Sequence, residues 1–143
     1  MDDQSTPPVT GLHHLSLTVT DLDRSLEWYQ RVLGWERQPG TFPHYDREST
    51  GYGVLLADPA SGMIIGLHTN TANEGETFEE SRTGLDHVSL QVEDRATLEN
   101  WVEWLDELGI AHTGIRDLTE PFSYSTVVFR DPDNVQLEFV AVG

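Results

Sequence analysis

Gly11-Leu12-His13-His14-Leu15-Ser16-Leu17-Thr18-Val19-Thr20-Asp21 is answered later in the chain by Gly84-Leu85-Asp86-His87-Val88-Ser89-Leu90-Gln91-Val92-Glu93-Asp94. Gly, Leu, His, Ser, Leu, Val and Asp recur in register, at an offset of 73 residues (87 − 14). A helical pattern follows each copy, and Asp58-Pro59 returns as Asp131-Pro132 at the same offset, just ahead of an apolar strand. Self-similarity at a fixed period marks a chain built from two copies of one supersecondary unit. A half of about 70 residues has little core of its own, so the two units are expected to share one.

Outward from these stretches the periodicity fills in each unit. Leu15, Leu17 and Val19 alternate with His14, Ser16 and Thr18, the mark of a strand with two different faces. Thr20 or Asp21 can cap a helix carrying Leu22, Leu26, Tyr29 and Leu33, and Gly34 ends it as a left-handed cap. Strands are predicted over 35–42, 52–57 and 63–68, with Asp58 to Gly62 as a hairpin turn. The second unit repeats the order. A strand runs over 87–92, and Asp94 caps a helix whose stripe is Leu98, Val102, Leu105 and Leu108, closed by Gly109. Strands over 111–116, 124–130 and 135–142 follow, the last two joined by the turn Asp131 to Asn134. The expected fold is α+β, two βαβββ modules forming a curved mixed sheet around a cavity. A loose tail covers 1–10, module one 11–68, an acidic and mobile linker 69–83, and module two 84–143.

Composition narrows the function. The 143 residues carry a net charge of −17, and all eight basic residues are Arg. Nothing here neutralises a row of phosphates or an anionic membrane surface, so nucleic acid and membrane partners are not expected. No cysteine is present, which excludes disulfides, thiolate metal sites and a catalytic thiol. No apolar run approaches the roughly 20 residues that span a bilayer, and residues 1–9 lack a signal pattern, so a cytoplasmic location is expected.

The strand faces carry the chemistry. If the apolar positions pack on the helices, His14, Ser16 and Thr18 share the opposite face of module one. His87, Ser89 and Gln91, with Gln136 and Glu138 of the last strand, share that of module two. A lone strand histidine is usually a packed, hydrogen-bonded residue. Two at matching positions with a carboxylate form a common set for a divalent cation: Fe, Zn, Ni, Mn or Co. His14, His87 and Glu138 are therefore the expected metal ligands.

These residues also carry a family resemblance. His14-Leu15-Ser16-Leu17-Thr18-Val19-Thr20-Asp21-Leu22-Asp23-Arg24-Ser25-Leu26-Glu27-Trp28-Tyr29, then Leu33-Gly34, resembles the opening module of the vicinal oxygen chelate superfamily. That superfamily includes glyoxalase I, extradiol dioxygenases, fosfomycin-modifying enzymes and bleomycin-binding proteins. Phe129-Arg130-Asp131-Pro132-Asp133-Asn134-Val135-Gln136-Leu137-Glu138 resembles its closing strand, with Asn134 where Gly is usual. The resemblance implies that His14, His87 and Glu138 occupy three of four ligand positions. The fourth falls at Gly66, where glyoxalase I resemblance would call for Glu.

His68, two residues on, is the candidate general base, and Ser16, Ser89 and Gln136 are candidate substrate contacts. Ser16 stands near the substrate-contacting Thr of fosfomycin enzymes, whereas Val128 stands where those enzymes keep a Tyr. The implied function is a glyoxalase-like metalloenzyme whose small oxygenated substrate chelates the metal, with isomerase, lyase or dioxygenase chemistry. A metal-free drug-binding protein of the bleomycin-resistance kind is the rival, and a fosfomycin-type thiol transferase a third reading. A homodimer is expected, because exposed module edges need cover.

Of the remaining residues, His13 is expected on the face opposite His14, and His44 and His112 at the surface. Trp28, Tyr29, Trp101 and Trp104 are read as helix packing, and some of Phe42, Tyr45, Tyr52, Phe122 and Tyr124 as pocket lining. Arg37, Arg47 and Arg116 are read as solvated.

Overall fold

The computed structural model describes residues 5–44 and 50–143. The order is β1 (Leu15–Thr18), α1 (Leu22–Leu33), β2 (Glu36–Arg37), β3 (Phe42–Pro43), β4 (Tyr52–Ala57), β5 (Ile64–His68), β6 (Val88–Gln91), α2 (Arg95–Glu107), β7 (Arg116–Leu118), β8 (Tyr124–Arg130) and β9 (Gln136–Val142). They form two mixed sheets. The first runs β1-β5-β4-β2 with β3 also on β4, and the second runs β6-β9-β8-β7. In each, the first and last strands of the module pair in parallel and the rest antiparallel. The repeat in the sequence is thus a repeat of topology.

The registers match too. Ser16 lies opposite Gly66 in the first sheet, and Ser89 opposite Glu138 in the second. Gly66 is therefore the structural counterpart of Glu138. Local signals set the helix ends. Asp21 and Asp94 cap α1 and α2, accepting from Arg24 N and Thr97 N at 3.1 and 2.8 Å. Gly34 closes α1 with φ 73°. Asn134, the single described non-glycine residue with positive φ, holds 70°, and Gly62 holds 76° in the matching turn. Asn is one of the few side chains that tolerates this region, and its Nδ2 also donates to Phe78 O at 3.1 Å. Asn134→Gly should keep the turn, whereas Asn134→Ala should cost about 1–2 kcal/mol. Urea denaturation of the two variants checks the difference.

One core serves both modules, as the short halves require. Leu17, Val54, Leu56 and Leu67 of the first sheet and Val127, Phe129, Leu137 and Phe139 of the second belong to a single buried cluster with Tyr29, Val32, Leu98 and Leu105 of the helices. Trp101 stacks on Phe139 with centroids 4.3 Å apart, and the Trp104 indole N–H donates to Val32 O at 3.0 Å, joining α2 to α1. The turn before β9 is a clamp. The Asp133 carboxylate accepts from Thr20 N at 3.0 Å, from the Thr20 hydroxyl, and from Arg24 at 2.9 Å. The Tyr29 hydroxyl donates to Asp131 at 2.6 Å.

Four expectations are corrected. The strand over 35–42 is two short pieces, because Pro39 and Gly40 (φ 91°) break the run. The strand over 111–116 shrinks to an isolated bridge at His112, with β7 starting only at Arg116, because Gly114 (φ 75°) turns the chain between them. On α1 the fully buried face is Ser25, Tyr29 and Val32, flanked by partly buried Leu22, Leu26 and Leu33, since α1 packs on both modules rather than one. The linker is tied down rather than free. Phe78 N donates to Asp133 O at 2.8 Å, and Arg130 holds Glu80 through paired bonds of 2.7 and 2.9 Å. Those bonds hold the Glu80 carboxyl down at about 2.

Candidate active site

Helix packing takes one face of each sheet, so the polar face of each is left outward. Ser16 and Thr18 on β1, and Ser89 and Gln91 on β6, are exposed. On the second sheet His87 and Glu138 come together, with His87 Nε2 at 3.6 Å from Glu138 Oε1. That gap is too long for a hydrogen bond. It is close to the separation of two ligands on one divalent ion, given bonds of about 2.0–2.2 Å. Asp86 Oδ1 accepts from His87 Nδ1 at 2.7 Å, which leaves the Nε2 lone pair turned toward Glu138. A carboxylate behind a ligating imidazole is the usual way to fix its tautomer and raise its basicity.

His14 stands on the other sheet. Its Nδ1 shares a hydrogen bond of 2.9 Å with Nδ1 of His13, so its Nε2 is the nitrogen left for a cation. Within one chain, and among the described residues, no three His, Cys, Asp or Glu side chains converge as a metal-holding group. The structure therefore joins His87 to Glu138 but not to His14. Two imidazoles and a carboxylate are donors that would suit a divalent cation, but in one chain they stand on two outward faces.

His14 lines a cavity of about 910 Å³ on the first sheet. Ser16, Thr18, His44, Thr50, His68 and Asn70 line it with Phe42, Pro43 and Leu55. His13, expected on the opposite face, also lines it, because Leu12 to His14 precede β1 and escape its alternation. His44, read as surface, is half-buried. It stacks on His68 with centroids 5.2 Å apart and bonds Thr50 at 2.6 Å. An irregular segment offers no periodicity, so the sequence held no sign of this placement. Burial, then the neighbouring His44 and His14, hold the His68 imidazole below its ordinary value. That shift favours the neutral imidazole at pH 7. His112, also read as surface, is mostly covered and bonds Asp106 at 2.7 Å.

Of the candidate substrate contacts, Ser16 lines the cavity, whereas Ser89 and Gln136 lie on the second sheet. Ser89 is the cross-strand neighbour of Glu138, and Gln136 bonds Arg130 at 3.2 Å. Of the aromatic residues read as lining, Phe42 lines the cavity. Tyr52 borders a separate hollow beside α1, and Phe122 and Tyr124 pack together at 5.2 Å. Tyr45 and Arg47 lie outside the described residues.

The family model for the Glyoxalase/Bleomycin resistance protein/Dioxygenase superfamily matches residues 11–139. The chain belongs to this superfamily. It is 30% identical over 137 residues to Glyoxylase I 4 of Arabidopsis thaliana, covering 91% of this chain and 70% of that protein. It is 24% identical to the putative ring-cleaving dioxygenase MhqA of Bacillus subtilis, spanning 75% of this chain but 33% of that longer protein. Among solved structures, a glyoxylase/bleomycin resistance protein/dioxygenase domain from Frankia sp. EAN1pec matches with TM-score 0.80 and 33% identity, covering 95% of this chain and 94% of that one. The fosfomycin resistance protein FosX of Listeria monocytogenes, solved with Mn(II) and sulfate, shares the fold at TM-score 0.64 and 18% identity, covering 95% of each chain. Superfamily membership thus confirms the fold and the two-module reading. Gly66, the register counterpart of Glu138, carries no side chain, and an added Cβ there would lie 2.3 Å from Ser16 Oγ.

Proposed function

We propose that the protein is a metal-dependent enzyme of the vicinal oxygen chelate type. Its ligands are His14 from one copy of the chain and His87 with Glu138 from a second copy. The observation that carries this reading is the His87–Glu138 pair, oriented by Asp86 and set 3.6 Å apart, on a face that lacks its third ligand. His14 sits at the equivalent position of the other sheet, so two copies packed face to face supply what one chain leaves open. A dimer also covers Leu118 and Val142, flanking β7 and β9 positions that are 37% and 55% exposed. A bound divalent cation would polarise neighbouring oxygens of a chelating substrate. The chain's own part is to hold that substrate in the first-sheet cavity and to move a proton through His68. Isomerase, lyase and ring-cleaving chemistry all fit this division of work.

Metal analysis of protein purified without chelator, with sedimentation equilibrium at micromolar concentration, tests the reading. A dimer holding about one ion per chain is expected. A metal-free protein would favour a drug-binding role of the bleomycin-resistance kind, and a monomer would remove the shared site.

A further inference from the structure

A row of polar side chains crosses three neighbouring strands beside the His87–Glu138 pair. Arg130 ends β8 and lies directly opposite Gln136, the first residue of β9. Asp86 stands just ahead of β6, the parallel neighbour of β9. Strand register therefore brings Arg130, Gln136 and Asp86 side by side.

Donor and acceptor roles along the row are forced. Arg130 can only donate. Glu80 takes bonds of 2.7 and 2.9 Å from it, Asn134 O one of 3.1 Å and Gln136 Oε1 one of 3.2 Å. That spends the carbonyl end of the Gln136 side chain, so its amide N–H groups face the other way. They donate to Asp86, to Oδ1 and to the backbone carbonyl at 3.4 Å each, a forked contact. An ionised carboxylate can only accept, so the same Oδ1 takes its bond of 2.7 Å from Nδ1 of His87. With the proton on Nδ1, the lone pair of Nε2 is left on the side of Glu138, 3.6 Å away.

Asp86 needs this support, because its side chain is 67% exposed. An exposed carboxylate loses entropy when held in one rotamer, and water competes for its lone pairs. A second donor on the same oxygen offsets that loss.

We infer that Gln136, gripped by Arg130, is a positioning residue rather than a substrate contact: it holds Asp86 against His87, and thereby the imidazole proton on Nδ1. As a device for metal binding this rests on the enzyme reading above, since a fixed tautomer presents Nε2 as a ligand. The tautomer itself is a property of one chain without metal.

Nitrogen-15 NMR of the imidazoles reads the tautomer in chelator-treated protein at about pH 9, where histidine is neutral. The His87 signals are assigned by their loss in His87→Gln. Wild type is expected to hold His87 mainly as the Nδ1–H form. Gln136→Met keeps the length of the side chain but deletes both polar ends. It is expected to shift the tautomer ratio about fivefold toward Nε2–H. Arg130→Met frees the Gln136 amide to turn and is expected to act in the same direction. Asp86→Ala, which removes the acceptor itself, should shift the ratio about tenfold or more. Circular dichroism checks each fold, and Gln136→Met alone decides the matter if Arg130→Met is unfolded. A residue that only ties β9 to the loop before β6 would leave the tautomer alone. An unchanged ratio in Gln136→Met, or a wild-type His87 mainly in the Nε2–H form, overturns the inference. Zinc titration then reads the consequence, with about tenfold weaker binding expected in Gln136→Met. Wild-type protein that binds no zinc would sink the metal reading and leave the tautomer result standing.

Discussion

Mixing two inactive variants should restore metal binding. His14→Ala and Glu138→Gln should each lose bound metal while staying folded. Glu138→Gln keeps shape and hydrogen bonding but deletes the one charged ligand, and two imidazoles hold a divalent ion far more weakly. Both side chains lie on outward faces, away from the shared core, so the fold should survive. If the ligands come from two copies, a mixed dimer has one site in which both mutations meet and one in which neither occurs. Random reassortment of equal amounts makes half the dimers mixed, so about a quarter of wild-type metal content should return. A site built within one chain would give none. His68→Ala, by contrast, should keep full metal content, because the register places Gly66 and not His68 opposite Ser16 at the position of Glu138. Metal lost from that variant would make His68 a ligand.

The largest stability effect is expected at Asp131. Its carboxylate is 6% exposed and accepts from the Tyr29 hydroxyl at 2.6 Å, Asp133 N at 2.9 Å and Val135 N at 2.8 Å. Asp131→Ala strands all three donors in the core and should cost about 3–5 kcal/mol. Asp131→Asn can accept through its oxygen and donate to Tyr29 through its nitrogen, so it should cost less than about 1 kcal/mol. The two also separate charge from hydrogen bonding. Burial pushes the Asp131 carboxyl up, outweighing the bonds from Tyr29, Val135 and Asp133 that pull it down. A raised native pKa means the folded protein binds the proton more tightly than the unfolded chain. The resulting stability is fully present below the unfolded value, about 3.9, and is lost as pH rises through the raised native value. Wild type should therefore lose ground to Asp131→Asn as pH rises from about 4, measured as the difference of their urea unfolding free energies. A pH-independent difference, or an asparagine variant as damaged as alanine, would contradict this account.

The site was partly legible in the sequence, and the residues show why. Glu138 could be placed on a face because strand alternation is a period of two, read from a few neighbours, whereas His14 and His87 each stand one residue ahead of their strands and were found by the repeat. The resemblance put the fourth position at Gly66, and the paired registers Ser16–Gly66 and Ser89–Glu138 make that residue the counterpart of Glu138. His44 could not be found this way. It follows β3 outside any periodic element, and its place is set by stacking on a ring 24 residues away (68 − 44), over a glycine that leaves room for it.

The sequence by itself determined the two modules, the caps at Asp21 and Asp94, the left-handed stops at Gly34 and Asn134, and the division of each strand into an apolar and a polar face. These are local properties, fixed by backbone sterics and by which side chains leave water. Only the tertiary structure decided how the modules meet. Asp133 reaches Thr20 and Arg24 across more than a hundred residues, Tyr29 bonds Asp131, and Trp104 bonds Val32 to join the helices. That packing spends the apolar faces inside the chain and turns both polar faces outward. His14 is thereby separated from His87 and Glu138, because burial of the shared core, and not the spacing of ligands along the chain, sets which surfaces face each other.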